Sequence, residues 1–406
     1  MKLFSDLPHN ARYSLALEPL WALFGGMILY YAPLYMKAIG LSEVEMGLVN
    51  TGNLLAGFVV FFIAAPVTNK IGRRRATFLF DFIAWSIPML LWAVAHNFWF
   101  FLAAGIINAS VKGVGVSWNC LLTEDASEDQ RLKVYGVIYI MVSMTGFFMP
   151  ITGILTSRYG IVPPMRILYL AGMVCMGAMF LIRNALVVET KAGLELMEKY
   201  RQISLLSGLK NYVSNVSLIF RNKNRILLLC LYILTGFTVS MNFFQIIYFK
   251  EQLGLGTGLI SLYPAISSLI YILLYAFAIP RLNRFSELAC MIAAFFVSIA
   301  GSLVFLLIPR QNVPLFLLTA FLLSSGYFVA MTYRDTVFIN RVGEHDKADA
   351  LSGLQTMTAL VSIPSGYIAG LLYGMNPVLP FITNLLLFTA SGIISIILAC
   401  SMRTKG

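Results

Sequence analysis

About twelve windows of roughly 20 predominantly apolar residues follow one another along this 406-residue chain, separated by short segments that contain charges, Gly or Pro. An α-helix needs roughly 20 residues to cross a hydrocarbon core of about 30 Å, and it satisfies its own backbone polar groups there. We therefore predict an all-α integral membrane protein. The predicted spans are 14–36, 43–65, 76–95, 98–121, 134–156, 166–188, 226–248, 258–279, 288–308, 314–335, 350–373 and 378–401.

Charge is sparse and unevenly placed. Charged residues make up 12% of the chain, and the formal net charge is +11. If the N-terminus lies inside, about 22 of the 29 Lys and Arg residues fall on the cytoplasmic side, which is the pattern that orients membrane proteins. Topology therefore accounts for the basic excess, and we expect no nucleic-acid partner. We predict a multi-pass protein of the cell inner membrane with cytoplasmic N- and C-termini.

Cysteine and histidine are few and scattered. The five Cys lie in apolar segments, the three His lie outside helices or at their ends, and no spacing resembles a metal site. No nucleophile paired with a base is apparent, and neither is a Gly-rich phosphate-binding motif. We therefore expect no enzyme activity, no cofactor, no metal and no ATP-driven transport. The expected state is a monomer in the lipid bilayer.

A charged stretch divides six predicted helices from six. We predict an N-terminal six-helix bundle over 1–188, a cytoplasmic linker over 189–225 and a C-terminal six-helix bundle over 226–406. Apolar and basic residues recur at helical spacing in the linker, so part of it is expected to lie as an amphipathic helix on the cytoplasmic surface. These residues are Leu194, Met197, Arg201, Leu205 and Leu209.

Two short matches between the halves indicate an internal duplication. The segment 65–72 aligns with 279–286, so that Pro, Asn and a basic residue coincide. The segment 129–136 aligns with 346–353, and the same register places Gly153 opposite Gly370. Repeats of this kind are common in transporters. The fold class that we predict is therefore twelve transmembrane helices in two six-helix pseudo-repeats around a central cavity.

The segment after the second helix resembles a signature of the major facilitator superfamily, Gly-x-Leu-Ala-Asp-Arg-x-Gly-Arg-Lys. The last five specified positions of that signature are occupied here by Asn69, Lys70, Gly72, Arg73 and Arg74. The resemblance extends over essentially the whole chain and implies that these residues form a cytoplasmic gate. Asn69 stands where the family has an aspartate, so it can accept hydrogen bonds but supplies no charge. The alternative is that the basic residues only anchor the topology.

The fifth helix bears on the direction of transport. Gly136, Pro150 and Gly153 fall at spacings that resemble the proton-coupled antiporters of this family, although Thr145 and Met149 stand where glycines are expected. The resemblance favours export. The alternative is ordinary helix packing, because small residues let membrane helices approach closely.

Polar side chains recur at helical spacing on several spans and should face one another or a wet cavity. In the family that this chain resembles, the first, fourth, seventh and tenth helices surround the central cavity, and polar rows occur here on the last three. The alternative is that these rows join helices through hydrogen bonds of about 1 kcal/mol or less. The predicted pathway residues, besides Glu18, are Asn53, Asn108, Lys112, Asn119, Tyr139, Thr238, Asn242, Gln245, Tyr271, Tyr327, Arg334 and Gln355.

Lys112 lies inside the fourth predicted span. A Lys near the bilayer centre costs roughly 2.5–3.5 kcal/mol on insertion scales, so it should face water, an anion or a carboxylate. The antiporters of the family carry an arginine nearby, at the position that aligns with Ala109. We expect Lys112 either to replace that arginine or to bind an anionic substrate, and a purely structural role is the alternative.

Three carboxylates near helix ends could be partners of Lys112: Glu18, Asp81 and Asp335. Alternating access changes the solvent and the charges around such a group, so its proton affinity can change as well. Glu18 is the predicted proton carrier, with a satisfied interfacial residue as the alternative. Asp335 follows Arg334 directly, and the two are predicted to form an ion pair or a gate.

These features favour a secondary active transporter that moves a small organic solute across the membrane by alternating access, with proton-coupled export as the leading hypothesis. Uptake of an organic anion held by Lys112 is the main alternative. A receptor or scaffold without transport is also compatible with the sequence, because a fold does not determine a function.

Overall fold

The chain forms membrane-length helices throughout the computed structural model, which describes residues 6–201, 223–341 and 347–403. Within these residues, eleven helical spans are long and apolar enough to cross a membrane, and a bent pair of shorter helices supplies a twelfth. We number them α1 (His9–Leu29 with Ala32–Ile39), α2 (Glu43–Ile71), α3 (Arg73–Ala93), α4 (Phe98–Thr123), α5 (Asp129–Tyr159), α6 (Val162–Leu186), α7 (Lys223–Glu251), α8 (Thr257–Leu282), α9 (Glu287–Leu306), α10 (Val313–Phe338), α11 (Gly353–Met375) and α12 (Leu379–Ser401).

Each predicted window coincides with one of these spans, so the predicted all-α membrane fold is confirmed. Most of the helices are longer than the windows. For example, α2 continues past residue 65 to Ile71, and α7 begins at Lys223 rather than at 226. The reason is that hydropathy marks the hydrocarbon crossing, whereas a helix also runs through the polar interface on either side.

Several spans are interrupted near polar residues. The two helices of α1 meet at an angle of 43°. In α3, the α-helix Arg73–Asp81 passes into a π-helical turn, Phe82–Ser86, before α-helix resumes. In α4, the helices Phe98–Asn108 and Val111–Thr123 flank a turn. A π-helical turn is rare and often accompanies a functional site, which draws attention to Asp81 at its start.

The described residues fall into two compact units. The first contains α1, α2 from Val49 onward, α3 to α6 and a short surface helix, Lys191–Tyr200, that we call the linker helix. Inside it α1 packs against α5 so closely that a Cβ added to Gly26 would collide with the Thr145 carbonyl oxygen. The other unit contains Ser42–Leu48 and α7 to α12.

The linker helix covers only the beginning of the predicted amphipathic segment. Leu194 and Met197 lie on it and Arg201 follows it, whereas Leu205 and Leu209 lie outside the described residues. The start of the second internal match, Asp346, also lies outside them. The domain boundaries at 188 and 226 stay a prediction.

Candidate functional site

Three helices of the first unit bring together a buried cluster of charges. Arg183 lies in the last turn of α6, Glu18 in α1 and Asp81 in α3. Arg183 donates a hydrogen bond through Nη2 to Asp81 Oδ2, and its Nη1 lies 3.6 Å from Glu18 Oε2. The side chains of Arg183 and Asp81 are each 4% exposed and that of Glu18 is 13% exposed. We call these three residues the charge cluster.

The two carboxylates of the charge cluster are held unequally. Asp81 accepts a direct hydrogen bond from Arg183. The 3.6 Å separation of Glu18 from Arg183 is too long for a hydrogen bond, and Glu18 Oε2 has no other hydrogen-bond partner among the described residues although it is buried. Asp81 is therefore the hydrogen-bonded partner of Arg183, and Glu18 is the carboxylate that can bind a different partner.

The charge cluster carries one uncompensated negative charge when all three groups are ionised, because two carboxylates face one guanidinium. Burying a net charge is expensive unless an opposite charge or hydrogen bonds compensate it. A proton or a bound cation would remove the imbalance. The cluster can therefore bind one positive charge in exchange for another.

A cavity of about 180 Å³ opens beside the charge cluster within the first unit. Its wall is mostly apolar and contains three tryptophans, and the rings of Trp21 and Trp85 meet edge to face with centroids 5.7 Å apart. Gly115 leaves space in this wall, since a Cβ added to it would meet nothing within 4 Å. The lining residues are Glu18, Trp21, Asp81, Trp85, Val111, Val114, Gly115, Trp118, Ile138, Met141, Val142, Phe180 and Arg183.

Aromatic walls and a net negative charge suit a particular kind of guest. Tryptophan rings attract cations electrostatically at their faces and offer a large apolar surface. The indole Nε1 of Trp118 is buried and has no acceptor in the part of the chain that is described, so it could donate to a polar group of a solute. The cavity therefore matches an amphipathic molecule that carries a positive charge.

Lys112 does not join this cluster. Glu18 and Asp81 contact Arg183, so neither is the partner of Lys112 that the sequence suggested. The Lys112 side chain is exposed, and its alkyl part passes Gly57 of α2, whose added Cβ would lie 3.4 Å from Lys112 Cγ. Within the described ranges the Lys112 side chain forms no hydrogen bond or ion pair, although its backbone N–H donates to the Ala109 carbonyl at 3.1 Å. The sequence signal that points to the cluster is Arg183. It is a cation inside a membrane span, so it requires carboxylates as partners.

The other predicted polar residues of the first unit contact neighbouring helices. Asn53 donates to the Gly105 carbonyl at 2.7 Å, and Asn108 donates to the Ala84 carbonyl at 2.8 Å. Asn119 is exposed and accepts a hydrogen bond from the Tyr135 hydroxyl at 2.9 Å. Tyr139 is half-buried on α5. The structure does not bring these four residues into the charge cluster.

The predicted row on α7 lies inside the second unit. Thr238 is buried and donates to the carbonyl of Thr235 in its own helix. Asn242 accepts a hydrogen bond from Asn384 of α12 at 2.7 Å, and Gln245 hydrogen-bonds Tyr263 of α8. The contacts of Asn242 and Gln245 join α7 to its neighbours, and a role of all three residues in the solute pathway stays a prediction.

A second group of charges surrounds Arg334 in the second unit. Arg334 pairs with Asp335 at 2.8 Å, as predicted, and donates to Thr235 Oγ1 at 2.5 Å. Its guanidinium lies 3.6 Å from the centre of the Tyr232 ring, and the Tyr232 hydroxyl donates to Asp335 at 2.6 Å. We call these four residues the Arg334 cluster.

The remaining predicted residues of the second unit lie outside the Arg334 cluster. Tyr271 stacks on Phe328 with ring centroids 5.1 Å apart. Tyr327 is half-buried and Gln355 is exposed.

The signature residues between α2 and α3 form a network with two glutamates that the sequence analysis missed. Arg73 is buried and forms a forked ion pair with Glu124 at the end of α4, with the Nη2 to Oε1 distance 2.8 Å. The same guanidinium donates to Asn69 Oδ1 at 3.0 Å. Asn69 therefore accepts a hydrogen bond as the family's aspartate at this position could, while Glu124 supplies the negative charge.

Glu189, which precedes the linker helix, completes this network. Its carboxylate accepts the backbone N–H groups of Arg73 at 2.8 Å and Arg74 at 3.1 Å, so it caps the N-terminus of α3. Gly72 has φ 91°, a conformation that favours glycine, and a Cβ there would also collide with Glu189. Lys70 is exposed. A capping carboxylate more than a hundred residues away gives no local sequence signal.

The family model of the Major Facilitator Superfamily matches residues 20–366. The chain belongs to the major facilitator superfamily. The predicted family resemblance is thus confirmed, and the chain has the two-repeat membrane fold of that family.

A curated relative is the Quinolone resistance protein NorA of Staphylococcus aureus, which is 22% identical over 127 residues. This alignment includes 30% of the chain and 32% of NorA, so the chain spans about a third of the length of the curated relatives that it matches.

Solved structures share the fold over nearly the whole chain. The nucleoside transporter NupG has a TM-score of 0.72 at 14% identity, covering 98% of this chain and 100% of that one. The human organic anion transporter MFSD10 has a TM-score of 0.64 at 17% identity, covering 95% and 99%. A POT family transporter in complex with 5-aminolevulinic acid has a TM-score of 0.70 at 12% identity, covering 98% of each chain. At these identities the likeness concerns the fold alone.

Proposed function

We propose that this protein is a proton-coupled exporter of small amphipathic organic cations. It works by alternating access in the cell inner membrane, as a monomer with both termini in the cytoplasm. Glu18 is the group that exchanges a proton for the solute, and the tryptophan-lined cavity holds the apolar part of the solute. The 69–74 signature region acts as the cytoplasmic gate.

The observation that carries this proposal is the single uncompensated negative charge beside an aromatic cavity. Arg183 and Asp81 neutralise each other through a hydrogen bond, which leaves the charge of Glu18 to be balanced. A proton on Glu18 and a cationic solute beside it satisfy the same requirement, and binding both would leave the cluster with an excess positive charge. Competition between the two couples their movements in opposite directions.

Two further observations support export over uptake. Gly136, Pro150 and Gly153 on α5 resemble the spacing of the proton-coupled antiporters. The distant similarity to a resistance protein points in the same direction.

The test is solute flux in proteoliposomes under an imposed proton gradient, with tetraphenylphosphonium and a pooled small-molecule library as probes. Wild type should accumulate a cationic solute against its gradient. Glu18→Gln should abolish this uphill movement, and the matched control Glu195→Gln, on the exposed surface of the linker helix, should not. Uphill flux that persists in Glu18→Gln, or flux that is independent of the gradient in wild type, would contradict the proposal. Absence of flux from correctly folded wild type would favour a receptor or scaffold.

A second candidate is uptake of an organic anion by Lys112. The observation that favours it is the exposed Lys112 side chain, which has no polar partner among the residues described. On this alternative, Lys112→Ala should lose binding of anionic library members while Glu18→Gln retains it. On the leading proposal, Lys112→Ala leaves cation transport largely intact.

A further inference from the structure

Three buried polar atoms near the charge cluster have no hydrogen-bond partner in the described part of the chain. They are Ser14 Oγ, Thr77 Oγ1 and Asn184 Oδ1. Ser14 and Thr77 are almost completely buried, with 0% and 1% of their surface exposed. Each atom belongs to one of the three helices that hold the charge cluster.

The positions of these residues relative to the charge cluster follow one pattern. Ser14 precedes Glu18 by one helical turn in α1, and Thr77 precedes Asp81 by one turn in α3, which is about 6 Å along each axis. Asn184 follows Arg183 directly, next to the end of α6. Because α1 and α3 begin at the membrane surface where α6 ends, all three residues lie on the same side of the charge cluster, toward that surface.

The polar row continues to the surface itself. Asn10 lies one turn before Ser14 on the same face of α1, and its side chain exchanges two hydrogen bonds with the backbone of Val188, at 3.0 and 2.9 Å. His9 is exposed beside it and contacts the Leu186 carbonyl at 3.0 Å. Asn10, Ser14 and Glu18 thus form a continuous line of polar side chains.

These groups differ from the hydroxyl of Ser117 in the same unit. Ser117, which is fully buried, donates to the Gly113 carbonyl of its own helix at 3.1 Å. Ser14 and Thr77 make no such bond. Buried polar atoms that lack a protein partner are commonly satisfied by ordered water, and the same holds for these three atoms on the same side of the charge cluster.

Ser14, Thr77 and Asn184 lie outside the cavity, because none of them belongs to its wall. The charged groups next to these three residues are Glu18, Asp81 and Arg183 of the charge cluster. A fourth is Arg74, whose Nε donates to the Asn184 carbonyl at 2.8 Å. The carboxylates of Glu18 and Asp81 can accept a proton, whereas the guanidinium groups of Arg183 and Arg74 keep theirs.

We infer that Ser14, Thr77 and Asn184 line a hydrated passage that conducts protons between the charge cluster and the membrane surface where α1 begins, without entering the solute cavity. The use of these protons for transport rests on the proposed function, whereas the hydration of the passage does not. Protons and solute then reach Glu18 by different routes, so a bound solute does not block the departing proton.

The first test measures hydration by cysteine labelling. In full-length protein whose five native cysteines have been replaced, Ser14→Cys and Thr77→Cys are treated with 2-aminoethyl methanethiosulfonate, a small hydrophilic reagent. Both should react at least about tenfold faster than Ser117→Cys, the buried control, because a thiol reacts as its solvated thiolate. Equal rates at all three positions would overturn the inference.

The second test measures proton delivery without any solute. After a rapid drop in pH, infrared spectroscopy follows the carboxylic-acid band that Glu18→Gln removes. Ser14→Ala combined with Thr77→Val should slow the appearance of this band at least about tenfold, whereas Ser117→Ala should not change it. A rate equal to that of wild type would overturn the inference. Failure of the proposed function would appear elsewhere, as unchanged uphill flux in Glu18→Gln.

Discussion

Each of the two units contains an arginine that forms an ion pair near a helix end, Arg183 in the first and Arg334 in the second, but the surroundings of these two arginines differ. In the charge cluster, Arg183 and Asp81 are each 4% exposed and come from different helices. In the Arg334 cluster, the arginine is 12% exposed and its partner Asp335, the next residue in the chain, is 52% exposed. Solvent can therefore take the place of Arg334 beside Asp335, whereas it cannot take the place of either Arg183 or Asp81.

Because of this difference, the charge cluster needs a proton or a ligand to balance its charge, whereas the Arg334 cluster does not. Water screens Asp335 directly, and Tyr232 adds a hydroxyl and a ring to the same group. Glu18 Oε2 accepts no hydrogen bond from the described residues. A net charge in the first unit therefore has to be balanced by a proton or a ligand, which is the property that coupling requires.

The largest expected effect comes from removing the two arginines in turn. Arg183→Met leaves two buried carboxylates without a counter-ion, and breaking a buried pair in this way costs about 3–5 kcal/mol. Arg334→Met leaves a carboxylate that is already half in water, so the loss of this ion pair should cost about 1 kcal/mol or less and the total cost should stay below that of Arg183→Met. Thermal unfolding of the purified proteins in detergent measures both.

A charge-balanced variant serves as the control for this pair. Arg183→Met combined with Asp81→Asn and Glu18→Gln removes all three charges and should recover much of the lost stability. If Arg183→Met and Arg334→Met destabilise the protein equally, the contrast between the clusters has no energetic basis.

The next effect concerns transport. Asp81→Asn makes the charge cluster neutral, because Arg183 and Glu18 then balance each other. We expect Glu18 to be held by Arg183 and uphill flux to fall at least about tenfold, equivalent to about 1.4 kcal/mol, without a comparable loss of folded protein. Asp335→Asn should change the flux less than about twofold, since its site is solvated. Wild-type flux in Asp81→Asn would remove Asp81 from the coupling site.

The fold could be predicted well from the sequence because the bilayer imposes a simple rule. Every span must be a continuous apolar helix, and hydropathy detects such helices without knowledge of their neighbours. The interruptions within the spans could not be predicted. The bend of α1 and the π-helical turn after Asp81 each lie just before a proline, Pro33 and Pro88 respectively. A proline permits a break, but the form and angle of the break depend on packing between helices.

The candidate site was predicted only in part. Glu18 was found because a carboxylate inside an apolar window is conspicuous. Lys112 was only one possible partner for it, and the structure places Arg183 there instead. Both cations lie inside apolar spans, and the choice between them depends on which helices are neighbours. Glu124 was overlooked for the opposite reason: a carboxylate at a helix end looks like a solvated residue, and only the structure shows that it pairs with the buried Arg73.

A smaller effect separates the aromatic contacts of the two arginines. Tyr232→Phe keeps the ring 3.6 Å from Arg334 but loses the hydroxyl bond to Asp335, which should cost about 0.5–1.5 kcal/mol. Tyr232→Leu should cost about 0.5–1 kcal/mol more, because the cation–π contact is lost as well. Phe180→Leu is the counterpart in the first unit, where Arg183 lies 5.3 Å from the ring, and its cation–π loss should be smaller. Thermal unfolding orders the three variants, and a loss of stability in Phe180→Leu that exceeds the loss in Tyr232→Leu would contradict this order.

The smallest effect tests screening directly. The coupling energy between Arg334 and Asp335, obtained from Arg334→Met, Asp335→Asn and the double variant, should be about 0.2–1 kcal/mol at low salt and should shrink at 1 M NaCl, where the Debye length is about 3 Å. The corresponding cycle on Arg183 and Asp81 should be nearly independent of salt, because ions do not reach a pair that is 4% exposed on both sides. A salt-sensitive Arg183–Asp81 coupling would mean that electrolyte enters the charge cluster. The passage lined by Ser14 and Thr77 would then admit ions as well as protons, and Glu18 would be balanced by dissolved cations rather than by exchange with a solute.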